Sequence, residues 1–179
     1  MHCFFSKKMY KRSFKMTKII SAFPCMGKTT IFALNKDTMF DREFNESRSI
    51  RGMSTEERDV FFQQCANIVQ LQQKIGYYDY IFITDNPLLV SRLDAQIITH
   101  VYPNVFDEAV MHEYKQRVLE RNDIVWYERV ITPKLRYLKG HIIALQEKGC
   151  DVRLTDLDNR FIEDVFTFNE HTKLPKQFI

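Results

Sequence analysis

One stretch near the start of the chain, residues 18–30, constrains the fold more than any other. It reads Lys-Ile-Ile-Ser-Ala-Phe-Pro-Cys-Met-Gly-Lys-Thr-Thr, an apolar strand candidate that runs through A-x-x-x-x-G-K-T into an apolar helix candidate. Backbone N–H groups around Gly27 and a helix N-terminus can bind phosphate oxygens, Lys28 can reach the β- and γ-phosphates, and Thr29 can ligate Mg²⁺. The stretch therefore predicts a nucleotide phosphate-binding loop between the first strand and the first helix of an α/β fold.

The alternative is an ordinary turn followed by a surface lysine. Ala22 stands where the usual pattern has its first glycine, and its Cβ restricts a tight turn, though alanine is the mildest substitute. The strand–loop–helix setting favours the phosphate-binding loop. A thiol at a helix N-terminus can also have a lowered pKa, but for Cys25 we expect a structural position without redox sensitivity. The residues predicted to bind the nucleotide are Pro24, Cys25, Met26, Gly27, Lys28, Thr29 and Thr30.

The composition is that of a globular protein in a reducing compartment. The chain has 179 residues, which fits one domain, and no apolar run approaches the ~18 residues that would predict a transmembrane helix. Its four cysteines are scattered without a C-x-x-C pair, and its five histidines are dispersed. We therefore expect no metal site built from protein ligands alone, no membrane partner and a cytoplasmic location, in the host cell if the protein is viral.

The charge is concentrated at the N-terminus. The net charge is +3, but residues 1–15 carry five basic side chains and no acid, so the remainder has a net charge of −2. A nucleic-acid partner is therefore not expected for the body of the protein. We interpret residues 1–16 as a basic, flexible extension and 17–179 as the folded domain. A nucleic-acid arm or an organelle-targeting segment is the alternative for the extension, because aromatic residues interleave its basic ones.

Five apolar runs, near residues 19–23, 38–41, 80–84, 97–101 and 150–154, alternate with helical patterns. This alternation predicts an α/β fold with a five-stranded parallel sheet covered by helices on both faces. Ser54 and Glu57 form a capping box that begins the longest helix, and Gly76 ends it. The other helices are expected near residues 29–34, 87–93, 107–122, 124–131, 132–148 and 159–168, followed by a loose tail.

Two acidic residues end predicted strands. Asp41 follows the second strand and Asp85 the third, and ligands of parallel sheets bind at the carboxyl ends of the strands, where Lys28 also falls. Asp85 can hold the water shell of Mg²⁺ together with Thr29. It can equally cap the short helix that begins at Pro87, and the sequence leaves both roles open.

Arg117 and Arg121 lie four residues apart in a strongly helical segment, which places them on one helix face. Two such guanidinium groups can clamp a transferring phosphoryl group, whose charge is spread over its equatorial oxygens. The alternative is a solvated pair matched with Glu113 and Glu120.

These motifs occur in the same order in the nucleoside monophosphate kinase-like P-loop kinases. The chain most resembles the small phage-type nucleotide kinases, in residues 20–29, in Tyr102-Pro103 and in E-Y-x-x-R-x-x-x-R-N at 113–122. The similarity covers most of 17–165 and is weak between 44 and 53. It implies a three-layer P-loop NTPase fold with a short helical lid at about 104–123.

The resemblance also implies ATP-dependent phosphoryl transfer with Mg²⁺. Lys28, Asp41, Arg117 and Arg121 would be the catalytic residues. Asp41 or Glu43 would orient the acceptor, and Arg48 and Arg51 would hold its phosphate if the acceptor is a nucleotide. A nucleoside or deoxynucleoside monophosphate is the first expectation for the acceptor of a monomer or homodimer. A nucleoside or other small-molecule kinase, a nucleotide-binding regulatory protein without kinase activity and a polynucleotide 5′-kinase are the alternatives.

Overall fold

A computed structural model of the chain describes residues 16–42 and 52–175. The predicted basic extension, apart from Met16, and the acceptor residues Glu43, Arg48 and Arg51 lie outside the described residues. Among the residues described, no helix combines the length and the apolar character needed to cross a membrane.

The centre of the fold is a five-stranded sheet in which every neighbouring pair is parallel. All five predicted strands are confirmed to within two residues at each end. The order across the sheet is β2-β3-β1-β4-β5, so β1 lies in the middle with β3 and β4 on either side. The strands are β1 Lys18–Ala22, β2 Met39–Asp41, β3 Tyr80–Thr84, β4 Ile98–Pro103 and β5 Asp151–Thr155.

Helices connect the strands, and the longest is the one with the capping box. Ser54 accepts the Glu57 N–H and the Glu57 carboxylate accepts the Ser54 N–H, while Gly76 closes the helix in the left-handed conformation, as predicted. The helices are α1 Lys28–Leu34, α2 Thr55–Ile75, α3 Pro87–Val90, α4 Glu108–Arg121, α5 Ile124–Trp126, α6 Thr132–Glu147 and α7 Ile162–Val165, with a 3₁₀ turn at Ala95–Ile97.

Hydrophobic cores cover both faces of the sheet, because successive residues of a strand point to opposite faces. Ile19 and Ile81 belong to one core, which they share with buried residues of α2 and α3. Ile20 and Phe82 belong to the other, which includes buried residues of α1, α4 and α6. The predicted α/β architecture, with helices on both sides of a parallel sheet, is confirmed.

The segment between α5 and α6 differs from the prediction of two separate helices. Tyr127–Ile131 forms a π-helical turn, and the backbone stays helical through Thr132 into α6. A proline lacks an N–H donor and crowds the carbonyl four residues earlier. The wider turn before Pro133 accommodates that proline, so the helix continues where the sequence predicted a restart.

The C-terminal segment also differs from the sequence expectation. The predicted last helix, 159–168, is only the single turn of α7. The tail after it was expected to be loose, but Asn169 donates its N–H to Tyr80 Oη at 2.7 Å. The Lys173 N–H and carbonyl both bond to the side chain of Asn35, at 2.8 and 2.7 Å. These bonds hold Asn169 against β3 and Lys173 against the C-terminal end of α1.

Candidate active site

The loop between β1 and α1 contains two residues in the left-handed region of backbone conformation, Cys25 with φ of 60° and Gly27 with φ of 93°. Gly27 is the N-cap of α1 and offers no side chain to the first N–H groups of the helix. Its carbonyl accepts the N–H of Thr30 and Ile31. The turn thus lies at the N-terminus of a helix, where amide groups can bind an anion, and its predicted role as a phosphate-binding loop stays a prediction.

A second constraint on Gly27 comes from the C-terminal segment. The Ile162 N–H donates to the Met26 carbonyl at 3.0 Å, which seats residues 161–163 on the loop. A Cβ on Gly27 would lie 3.1 Å from Glu163 Oε2 and 3.6 Å from Phe161 Cβ. Burial raises the pKa of the Glu163 carboxyl group, with the nearby Asp164 adding to the effect. Glycine is thus required both for its backbone conformation and for the close approach of this segment.

The loop forms one side of a cavity of about 260 Å³, the loop cleft. Pro24, Cys25, Met26, Gly27, Lys28 and Thr29 all line it, whereas Thr30 is exposed and is not part of the lining. The opposite side comes from the end of α4 and from the segment through α6, including Arg121, Trp126 and Lys134. Three cationic side chains, Lys28, Arg121 and Lys134, and no acidic side chain belong to the described lining.

Lys28 lies at the carboxyl edge of the sheet. Its side chain is buried, and Nζ donates to the Ile83 carbonyl at 3.2 Å near the end of β3. A charged amine held by a backbone carbonyl at this position can exchange that acceptor for a phosphate oxygen, which is a stronger partner.

The two arginines of α4 have different surroundings. Arg121 lines the loop cleft, whereas Arg117 packs on the ring of Phe161, with its guanidinium carbon 4.6 Å from the ring centroid. Arg117 also donates to the Arg160 carbonyl at 2.6 Å and lies 3.6 Å from Glu113, one of its two predicted partners. Burial lowers the pKa of Arg117. Only Arg121 faces the loop in this conformation, so the predicted two-arginine clamp stays a prediction.

The face of α4 opposite its exposed side is buried against the core. Val110, Tyr114 and Val118 are buried, and Tyr114 Oη donates to the Pro24 carbonyl at 3.1 Å. The helix therefore contacts the loop directly. Its predicted role as a closing lid stays a prediction.

Cys25 lies inside the loop cleft next to the C-terminal end of α4. Burial raises the pKa of its thiol, while Arg121 and the Asn122 amide, whose Nδ2 lies 3.7 Å from Sγ, oppose the rise. The lowered pKa considered from the sequence is not what the structure gives. The net rise in pKa favours the protonated thiol at neutral pH, so the described surroundings of Cys25 do not favour the nucleophilic thiolate.

Asp85 is not the cap of α3. Asn86 occupies that position, and its side chain accepts the Leu88 N–H at 2.9 Å. The Asp85 carboxylate instead accepts the Tyr102 hydroxyl at 3.0 Å, and the same hydroxyl lies 3.1 Å from His141 Nε2. The structure thus removes the capping role and leaves the metal role as a prediction.

Lys134 is a residue of the site that the sequence did not reveal. Its Nζ donates to the Asp85 carbonyl at 2.6 Å and lies 4.0 Å from the Asp85 carboxylate. It also lies 5.7 Å from the centroid of the Phe23 ring. The only signal in the sequence was a lysine next to the helix-opening proline, which is too common a feature to suggest a ligand contact.

A second cavity, of about 280 Å³, lies beside α6, and we name it the α6 cleft. Asp85 and Lys134 lie in its wall, and Lys134 therefore borders both cavities. The remaining lining comes from Phe23, Pro87, Pro133, Tyr137, Leu138 and His141.

Asp41 is completely buried at the end of β2. It pairs in register with Phe82, three residues before Asp85, and it does not line either cleft among the described residues. The adjacent Arg42 donates to Cys65 Sγ at 2.8 Å and packs on Phe61. Among the described residues, neither cleft is lined by both Asp41 and Lys28, and the role of Asp41 in orienting an acceptor stays a prediction.

Two described side chains are oxygen donors of the kind that Mg²⁺ takes together with substrate phosphates, and they line different clefts. Among the described residues, no three His, Cys, Asp or Glu side chains converge as a metal site. Mg²⁺ commonly binds one or two protein oxygens together with substrate phosphates and waters. The Thr29 hydroxyl in the loop cleft and the Asp85 carboxylate in the α6 cleft are oxygen donors of that kind.

Comparison with known proteins does not identify a family. No protein-family model matches the chain, and no curated protein matches it. A solved structure described as "Crystal structure of APE1195" aligns with 83% of this chain and 90% of that chain, at 15% sequence identity and with a TM-score of 0.40. A likeness of this size assigns neither a family nor a function.

Proposed function

We propose that the protein transfers the γ-phosphoryl group of ATP to a small acceptor, most simply a nucleoside or deoxynucleoside monophosphate. The observation that supports this most directly is the lining of the loop cleft. It combines the amide-rich turn at Gly27 with the cations Lys28, Arg121 and Lys134, and its described part holds no acidic side chain. Such a cavity is complementary to a chain of phosphate groups.

The cations surround the loop from different elements. Lys28 comes from the start of α1, Arg121 from the end of α4 and Lys134 from the first turn of α6. The charge of a transferring phosphoryl group is distributed over its equatorial oxygens, so donors that reach it from several sides stabilise the transition state. Thr29 would hold Mg²⁺ in the loop cleft, and Asp85, from the neighbouring α6 cleft, would bind its water shell; the ion supplies further neutralisation of the phosphate charge when it is bound.

Lys28 is the residue whose change of partner the proposal requires. Its Nζ donates to the Ile83 carbonyl at 3.2 Å. On binding, the amine would donate to a β- or γ-phosphate oxygen instead. Arg121 lies at the C-terminal end of α4, and it would approach the phosphates if α4 moves as a lid when nucleotide binds.

The test is a transfer assay with the full chain. Radiolabelled [γ-³²P]ATP and Mg²⁺ are incubated with a panel of nucleosides, nucleoside monophosphates and 5′-hydroxyl oligonucleotides, and labelled products are separated by chromatography. We expect label in one class of small acceptor. Label in the oligonucleotides would instead indicate a polynucleotide kinase. Tight ATP binding without transfer to any acceptor would contradict the proposal and favour a nucleotide-binding regulatory protein.

A further inference from the structure

We propose that the α6 cleft binds the nucleobase of the acceptor, with the plane of the base against Tyr137 and its hydrogen-bonding edge toward His141. This inference rests on the proposed function, because it names the acceptor site of the same reaction. It assigns the base to α6 and not to Asp41, Glu43, Arg48 and Arg51, the acceptor residues that the sequence suggested.

The walls of the cleft are suited to a flat ring. Phe23, Pro87, Pro133 and Leu138 supply apolar surface, and Leu138 and Phe23 are part of the buried core. Tyr137 lies at the rim with 76% of its surface exposed. An exposed aromatic side chain next to an apolar cavity provides a stacking surface for a base, which has a π-face whatever its identity.

One face of α6 supplies most of this cavity. Pro133, Tyr137 and His141 recur every four residues, a spacing that aligns side chains along one side of a helix. Lys134 and Leu138 form the adjacent row with the same spacing. The helix thus presents stacking, apolar and polar groups to the cavity together.

The polar end of the cleft is held in place by a chain of hydrogen bonds. The buried Tyr102 hydroxyl donates to Asp85, so its oxygen accepts from His141 Nε2 at 3.1 Å. Burial, reinforced by Asp85, raises the pKa of Tyr102 far above its ordinary value, which keeps the phenol protonated. Tyr102 is therefore a positioning residue that fixes both the Asp85 carboxylate and the His141 ring.

The charge of the cleft favours a base over a phosphate. Asp85 and Lys134 are the charged side chains in its described lining, and their charges are opposite. The loop cleft, by contrast, has three cations in its described lining. Lys134 borders both cavities, so an acceptor seated on α6 would have its reactive end toward the phosphates.

Binding without ATP tests this inference. The probes are thymidine, deoxycytidine, deoxyadenosine and deoxyguanosine and their 5′-monophosphates, and affinity is measured by calorimetry or ligand-observed NMR. We expect Tyr137→Ala to weaken binding of the preferred probe by about tenfold, the typical effect of losing one base–aromatic stack. Tyr137→Phe should stay within about twofold of the wild type, because the stacking ring is retained.

Tyr77→Ala is the matched control, since Tyr77 is also an exposed tyrosine, at 53%, but lies outside the α6 cleft. It should bind the probe like the wild type, and all three variants should retain wild-type ATP affinity. The inference is overturned if none of the eight probes binds, or if Tyr137→Ala binds each of them as tightly as the wild type does. If binding depends on Tyr137 but no phosphoryl transfer occurs, the base site on α6 is supported and the kinase proposal is contradicted.

Discussion

The loop cleft and the α6 cleft differ in how their lining residues are distributed along the sequence. Six consecutive residues, 24–29, line the loop cleft, and its special feature is a backbone conformation. The α6 cleft takes its lining from the ends of β1 and β3, the start of α3 and one face of α6. A site made of backbone amides must be continuous in sequence and therefore leaves a motif, whereas a site made of side chains from four elements leaves none.

Lys134 joins the two cavities. It binds the Asp85 carbonyl and borders both clefts, so a change there affects whichever ligands the two clefts hold. A substitution that affects one cavity should therefore be distinguishable from a substitution that affects both.

Lys28→Ala should have the largest effect, because it removes a preorganised charge from the loop cleft alone. We expect turnover to fall by roughly 100-fold or more, with the affinity of the acceptor probes unchanged. Steady-state kinetics and probe binding measure the two quantities. Lys36→Ala is the control, since Lys36 is an exposed lysine beyond the end of α1. Near-wild-type turnover in Lys28→Ala would show that the loop is not the site of transfer.

Lys134→Met should affect both cavities while keeping the aliphatic stem of the side chain. We expect kcat/KM to fall by about tenfold or more for ATP and for the acceptor, as for loss of a charged transition-state contact. Lys139→Met, an exposed lysine on the same helix, should change neither. A loss confined to one of the two substrates would show that Lys134 does not serve both cavities.

Arg121→Ala and Arg117→Ala form a matched pair within α4. We expect kcat to fall by about tenfold in Arg121→Ala and by less in Arg117→Ala, because only Arg121 lines the loop cleft. Arg117→Ala should instead lower the melting temperature, since it removes the contacts with Phe161 and the Arg160 carbonyl. Equal losses of kcat would indicate that Arg117 moves into the cleft when nucleotide binds, as the predicted clamp requires.

Gly27→Ala tests the loop through stability. The positive φ and the 3.1 Å approach to Glu163 Oε2 should together lower the free energy of unfolding by about 1–3 kcal/mol. Urea denaturation measures the change. In the background of Glu163→Ala the steric part should disappear and the conformational part should remain, so the cost of Gly27→Ala becomes smaller. A cost that is the same in both backgrounds would show that the C-terminal segment does not press on the loop.

The sequence predicted the structural features that depend on residues close together in the chain. The strand before Gly27, the capping box at Ser54 and Glu57, and the alternation of strands and helices are all local patterns, and the structure has them where expected. The orientation of Arg117 depends on Phe161 and Arg160, more than 40 residues away. Helical spacing places Arg117 and Arg121 on one face of the helix, but it does not determine which residues each of them contacts.

The sequence did not reveal that Lys134 lies beside the two cavities. The helix continues through Tyr127–Ile131 and across Pro133, and Lys134 lies in the next turn, beside both cavities. The proline suggested a restart, since it commonly opens a helix. The tail was likewise misjudged, because its polar composition hides the specific bonds to Asn35 and Tyr80.

The π-helical turn also affects how this chain should be aligned with others. Such a turn accommodates one more residue than an α-helical turn does without breaking the helix. A relative without the extra residue would present the same face of α6 one position earlier in its sequence. An alignment that places no gap within 127–131 would then pair Lys134, Tyr137 and His141 with residues of a neighbouring face. A one-residue gap in this turn would bring the counterparts of these residues into the same columns.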